Sequence, residues 1–317
     1  MARGMVVKAS TREAYGKTLV ELGRENPNIV AVGGDLNKST LLTLFAKEFP
    51  ERFFDCGAAE QNIMGIAAGL AASGKTPFVS TFAVFASNRP FDQIRISIAQ
   101  PHLNVKIVVT HAGIITGEDG MSAHSIEDMA LMCSLPGFTV IVPADATEVP
   151  QAVRAAAENH GPFYVRLSRP TTPVVCSNDH RFVLGKATTM REGRDASIIA
   201  TGIMVGKALE AAEKLAGQGI QCRVLNMATI KPVDEEAIIK AADETGAVVT
   251  AEEHLEHGGL GSAVARVLGR ERPVPMDFVA IKDEYSFSGK PDELLEARGL
   301  TAEKIEEAAR SVLHRKG

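Results

Sequence analysis

The segment Arg52 to Ser80, RFFDCGAAEQNIMGIAAGLAASGKTPFVS, reads as strand, helix, strand. RFFDCG and the following TPFVSTF carry the short apolar runs of strands, while Glu60 to Ala72 spaces its apolar residues at helical intervals. Short apolar strands alternating with helical patterns are how a parallel sheet covered by helices reads. The segment also holds a decoy. Gly69 to Thr76, GLAASGKT, satisfies the nucleotide-binding pattern GxxxxGK[ST]. That pattern works only where a strand enters the loop and a helix leaves it, so that helix N–H groups face phosphate. Here an Ala-rich helix enters and Pro77 with FVSTF follows, so Gly74 reads as a helix stop and the match as chance.

The same alternation runs outward in both directions. NIVAVGG, NVKIVVTH, FTVIVP and FYVRLS are further strand candidates, joined later by DASIIATG, IQCRVLNM, GAVVTAEE and VPMDFVAI. Helical spacing recurs at 91–99, 125–134, 147–159, 205–217 and 235–245. Between Arg169 and Arg194 the periodicity lapses into Pro, Thr and charge before the pattern restarts. The expected fold is therefore α/β: two consecutive open parallel-sheet domains with helices on both faces, residues 1–180 and 181–317.

With 45% hydrophobic and 23% charged residues, the chain has the balance of an ordinary globular protein with a sizeable core. A net charge of −5 with scattered Lys and Arg argues against nucleic acid as a partner. No segment has the apolar length of a membrane span or a signal peptide, so no membrane partner is expected. Cys56, Cys133, Cys176 and Cys222 lack CxxC spacing, which fits a reducing cytoplasm and neither a zinc site nor a disulfide framework.

Open parallel sheets bind ligands beyond the carboxyl ends of their strands. Glu60 falls there, in FFDCGAAEQNIMG, together with Ser80 to Phe85 (STFAVF), Thr110 to Gly113 (THAG) and Gly117 to His124 (GEDGMSAH). One sheet edge thus gathers an acid, two aromatic rings, histidines and a Gly-rich acidic turn. Each has an ordinary alternative: Glu60 as a solvated first-turn carboxylate, Phe82 and Phe85 as core aromatics, Asp119 and Asp35 as turn formers.

These motifs, in this order and spacing, resemble those of transketolases. The stretch from Ser10 to about Arg169 resembles their pyrimidine-binding domain, and that from about Arg194 onward their carboxyl-terminal domain. The resemblance implies thiamine diphosphate as cofactor, with Glu60 on the ring nitrogen of its aminopyrimidine and Phe82 and Phe85 walling the ring. A carboxyl group for that task is kept out of bulk water, where burial lets it hold a proton near neutrality. Asp35 matches an acid near the cofactor. On the substrate side, Arg12, Ser39, His111 and Arg169 stand where the family surrounds a sugar phosphate, and Asp119 where it meets a substrate hydroxyl; His111 also counts as a catalytic candidate. Surface cations and a core or capping histidine are the alternatives for Arg12, Arg169 and His111. Two departures stand out. The family's histidine position holds Ala123, with His124 one residue later as the substrate-binding candidate for hydroxyl recognition, and an aromatic position holds Asn88.

The family's diphosphate domain, with its GDG motif followed by Asn, has no match here, so no Mg²⁺ ligand is assigned to this chain. The resemblance then implies a partner chain carrying that domain, in a dimer of two such pairs acting on sugar phosphates. Deoxyxylulose phosphate synthase and a 2-oxo acid dehydrogenase β subunit share the fold, and a non-catalytic assembly subunit is the alternative of another class. In AEEHLEHGGLG, Glu252, Glu253, His254 and His257 lack metal-ligand spacing and are expected to form a turn at an interface.

Overall fold

The structure, a computed structural model, describes residues 7–316. Its first sheet has seven strands in the order Thr229–Lys231, Thr139–Ile141, Phe163–Arg166, Lys106–Val109, Thr76–Ser80, Ile29–Gly33, Phe53–Asp55. The second has five, in the order Met276–Ile281, Val248–Leu255, Ala196–Ala200, Cys222–Asn226, Thr188–Arg191. All neighbours are parallel except the edge strands Thr229–Lys231 and Thr188–Arg191, which run antiparallel. The α/β fold is therefore as expected, with one antiparallel edge added to each sheet. Among the described residues no helix is long and apolar enough to cross a membrane.

The Glu60–Ala72 helix stops as its sequence dictates. Gly74 adopts a left-handed φ of 86°, and Thr76–Ser80 follows as a strand, so GLAASGKT has no phosphate cradle. Helices also form at Thr11–Glu25, Leu260–Glu271 and Ala302–Arg315. The first and last are capped by the Ser10 and Thr301 hydroxyls, which accept from the N–H groups of Glu13 and Lys304. Residues 125–127 stay out of the helix expected there, which begins at Asp128. Their carbonyls are taken by other chain segments: Gly113 N–H donates to Ser125 O and Leu255 N–H to Ile126 O.

Residue 181 does not separate the two sheets. Thr229–Lys231 lies beyond it yet extends the first sheet, its Thr229 opposite Ile141. One apolar cluster joins Met129, Met132 and Tyr164 of the first half to Leu225, Val248, Leu260 and Val264 of the second. Each such fully buried side chain contributes roughly 1.5–3 kcal/mol, so the halves are held together by core packing.

Polar contacts complete the join. Arg166 Nε donates to Asp128 at 2.9 Å, and its Nη2 donates to the carbonyls of Ser125 (3.1 Å) and Glu253 (3.0 Å). Glu253 Oε1 accepts from Ile115 N–H at 2.8 Å. Glu252 accepts from Leu260 and Gly261 N–H at 2.7 Å each, and His254 Nε2 accepts from Ala130 N–H at 3.3 Å. The buried members of the AEEH run therefore face separate backbone partners and share no ligand position.

Burial pushes the Glu253 carboxyl up to about 7, with Arg166 and the Ile115 amide pulling the other way. The value lies above that of an unfolded Glu, ~4.3, so the stability this group contributes is complete below that pH and is lost as pH rises through 7. Glu253→Gln does not ionise. Its melting temperature should gain on the wild-type chain between about pH 5 and about pH 8, and a difference independent of pH would contradict the assignment.

Candidate active site

Parallel register brings the strand ends level: Gly33 lies beside both Ser80 and Asp55. The loops that follow therefore converge at one edge. Glu60 opens its helix there and is 6% exposed. Its Oε1 accepts from Arg89 Nη1 at 2.8 Å, and the Arg89 guanidinium lies 4.0 Å from the centroid of the Phe85 ring. Gln61 Nε2 donates to Arg89 O at 3.3 Å. Ala58, Ala59, Glu60, Gln61, Asn62 and Arg89 line a cleft at this edge. A half-exposed planar cation thus bridges a buried carboxylate and an aromatic face.

Phe82 and Phe85 stack at 5.8 Å, and His111 stacks on Phe82 at 3.6 Å between ring centroids. The contact follows from the backbone. Thr110 bridges the strand ends, donating to Thr81 O and accepting from Ala83 N–H, and His111 then turns with a left-handed φ of 58°. Such a conformation is uncommon outside glycine and is held by its surroundings. Here Thr116 Oγ1 donates to His111 O at 2.7 Å, and Thr110 Oγ1 pairs with His111 Nδ1 at 2.8 Å. Burial, then the cations Arg12 and Arg169, push the His111 imidazole down to about 3. The ring is neutral, with Nε2 as the nitrogen not engaged by Thr110.

Arg12 and Arg169 approach closely enough that Arg169, after burial, holds the Arg12 guanidinium below its usual range. Arg12 Nη1 donates to Ser39 O at 2.7 Å, while its buried Nε has no partner among the described residues. Arg169 Nη1 donates to Thr116 O at 2.5 Å and to Glu118 at 3.0 Å, with Asp119 at 3.9 Å. Two cations, an unpaired N–H and a neutral histidine form a cluster suited to an anion.

His124 Nε2 donates to Gly117 O at 2.9 Å, and its buried Nδ1 has no partner among the described residues. Burial keeps this ring on the neutral side, against the opposing pull of Gly117 O and Asp119. Asn88 donates to Glu127 at 2.7 Å, so a hydrogen bond stands where the resemblance expects an aromatic. Asp35 is exposed in the turn after Ile29–Gly33. It joins the same edge because Gly34 packs directly against Gly57 O and Ile63.

Arg89 and Glu127 are not singled out by the sequence, Glu118 stands there only as one member of the GEDG turn, and Glu253 only as one of the AEEH run. Their partners lie far away along the chain, and no local spacing announces them. The structure also gathers Glu148, Cys176 and His180. That cluster is already paired: His180 Nε2 bonds Glu148 Oε1 at 2.9 Å, and Glu148 also accepts from Asn226 and from Ala144 N–H. Burial, first among its causes, pushes the Cys176 thiol up, away from the thiolate a metal needs. These side chains anchor the segment joining the two sheets.

Comparison with known proteins gives two domain matches: the transketolase pyrimidine-binding domain over residues 7–174 and the transketolase carboxyl-terminal domain over residues 185–305. A putative transketolase C-terminal section from Methanocaldococcus jannaschii is 47% identical, covering 93% of each chain. A 6-deoxy-6-sulfo-D-fructose transketolase subunit from Clostridium sp. is 45% identical over 96% of this chain and 95% of its own. Among solved structures, a split gene transketolase described as an inactive β4 tetramer superimposes with a TM-score of 0.90 at 53% identity, covering 98% of this chain and 100% of its own.

The geometry makes a spectroscopic prediction. The His111 ring should show no titration in NMR between about pH 5 and about pH 8, whereas a midpoint near 6.5, the value of a solvated imidazole, would contradict the assigned environment.

Proposed function

The chain belongs to the transketolase family and carries its pyrimidine-binding and carboxyl-terminal domains, and from that premise we propose that it is the carboxyl-terminal subunit of a two-chain, thiamine diphosphate-dependent transketolase. The observation that carries this reading is the Arg89 guanidinium, held between the Glu60 carboxylate and the Phe85 ring. A planar, nitrogen-bearing cation rests on an acid and an aromatic face, which is the recognition an aminopyrimidine requires. The residues present therefore fit the pyrimidine end of the cofactor.

The cofactor, when bound, supplies the electron sink that lets a two-carbon ketol unit pass from a ketose phosphate to an aldose phosphate. Glu60 holds a proton at a ring nitrogen. Phe82 and Phe85 shield the ring from water and fix its plane. Arg12 and Arg169, with Ser39 beside them, take the substrate's phosphate, and the unpaired Arg12 Nε is a donor awaiting that acceptor. Neutral His111 presents Nε2 to the sugar, and Asp119 accepts from a hydroxyl. His124 shapes this pocket through its grip on Gly117 O, and Asp35 faces the cofactor side of the same edge.

Mg²⁺ and the cofactor's diphosphate belong, on this reading, to an N-terminal partner subunit, with two such pairs forming the active assembly. Support comes from relatives of the same length that are named as a C-terminal section or a subunit, and from the split-gene tetramer that is described as inactive.

Two outcomes test the reading in the complex reconstituted with an N-terminal subunit. Glu60→Gln should leave assembly intact and lower turnover by roughly 100-fold or more, the range expected for a positioned proton-transfer group; unchanged turnover would favour an assembly-only role. Arg12→Ala and Arg169→Ala should each raise KM for a phosphorylated donor by roughly tenfold while sparing cofactor binding, the scale of one lost charge-assisted contact. Equal effects on unphosphorylated sugars would remove the phosphate assignment.

A further inference from the structure

We propose that Glu253, in the second half of the chain, is a positioning residue for the substrate-binding segment His111–His124, which makes the carboxyl-terminal domain a working part of the active site. The proposal rests on the reading above for what the segment binds. Glu253 touches no candidate substrate group and acts through the backbone.

The strand Val248–Leu255 delivers Glu253 to the back of the segment, where it is 3% exposed. Its Oε1 accepts from Ile115 N–H at 2.8 Å, midway in sequence between His111 and Asp119. Gly113 permits the approach: its φ is 76°, and a Cβ there would overlap the Glu253 carboxylate. The carboxylate is itself oriented. Arg166 Nη1 lies 3.9 Å from Glu253 Oε2, while the same guanidinium binds Ser125 O, just past His124, and Asp128. One end of the segment is thus tied to Glu253 and the other to the cation that faces it.

A lighter contact closes the outer side. Ser288 Oγ donates to Glu118 O at 2.6 Å, and Gly289 and Pro291 pack against Gly117. The segment is therefore gripped from two sides by the second half of the chain, and the His111 turn and the Asp119 carboxylate keep their separation because of it. A buried carboxylate is costly where a neutral acceptor would complete the same hydrogen bond. Glu253 faces Arg166 here, and the two residues span the junction between the halves at the segment's root.

Amide hydrogen exchange on the chain alone, followed by kinetics of the reconstituted complex, tests the proposal. Glu253→Ala should speed exchange at residues 114–124 by roughly tenfold or more, the scale of one lost buried hydrogen bond. Exchange in the strand Ala196–Ala200 should not change. In the complex it should raise donor KM by roughly tenfold with thiamine diphosphate affinity unaltered, and Glu253→Gln, which keeps the acceptor oxygen, should restore both. Unchanged exchange at 114–124, or acceleration spread equally into Ala196–Ala200, would overturn the proposal. Should Glu253→Ala fail to fold, Ser288→Ala removes only the outer contact and should loosen residues 117–120 selectively; no change there would equally count against the grip. The exchange readout needs neither cofactor nor partner. If the wild-type complex turned over no ketose phosphate, the function proposed above would fail while the positioning result stood.

Discussion

A carboxylate taken out of water must have a partner, and the site is organised around that requirement at Glu60. The parallel register ends its strands level, the helix Glu60–Ala72 starts at that level, and its first side chain has almost no contact with solvent. Arg89 answers the charge from the adjoining loop and lies flat on Phe85. Arg89 is half exposed and Glu60 is not, so the cation is the solvent-facing member of the pair and stands where, on the proposed function, the ligand's ring would take its place. A few ångströms deeper, Phe82 and His111 continue the stack toward Arg12 and Arg169, so the edge passes from a carboxylate to a pair of cations. That gradient suits a substrate whose reacting end and anionic end differ.

The second half of the chain contributes no candidate catalytic group, yet it is not an appendage. Its strand Thr229–Lys231 extends the first sheet, its apolar residues share a core with Met129 and Met132, and Glu252, Glu253 and His254 all carry hydrogen bonds. The AEEH run, expected to form a turn at a subunit contact, instead places Glu252, Glu253 and His254 within the strand Val248–Leu255, where they bond the backbone of their own chain.

Much of the fold was legible because strands buried on both faces are continuous Val and Ile runs, and the intervening helices repeat at their own period. Thr188–Arg191 and Thr229–Lys231 were not, since edge strands of three or four residues are too short to show a period. The helices Thr11–Glu25, Leu260–Glu271 and Ala302–Arg315 also lie outside the segments whose spacing reads as helical, although Ser10 and Thr301 stand at the caps of the first and last. In the site, the residue types and their order were readable because each belongs to a loop motif following a strand. Their partners were not. Arg89 lies 29 residues from Glu60, and Glu253 lies 138 residues from Ile115, distances at which only the folded chain reveals a pairing. Nor does any local spacing announce that Asn88 bonds Glu127, or that Arg169 rests on Thr116 O and Glu118.

The central claim is that this chain holds the pyrimidine half of a cofactor site whose other half lies on a different polypeptide. Calorimetric titration of thiamine diphosphate with Mg²⁺ into the chain alone, and into its mixture with an N-terminal transketolase subunit, tests it most directly. The account predicts no binding to the lone chain and tight binding to the mixture. Micromolar binding by the lone chain would contradict it.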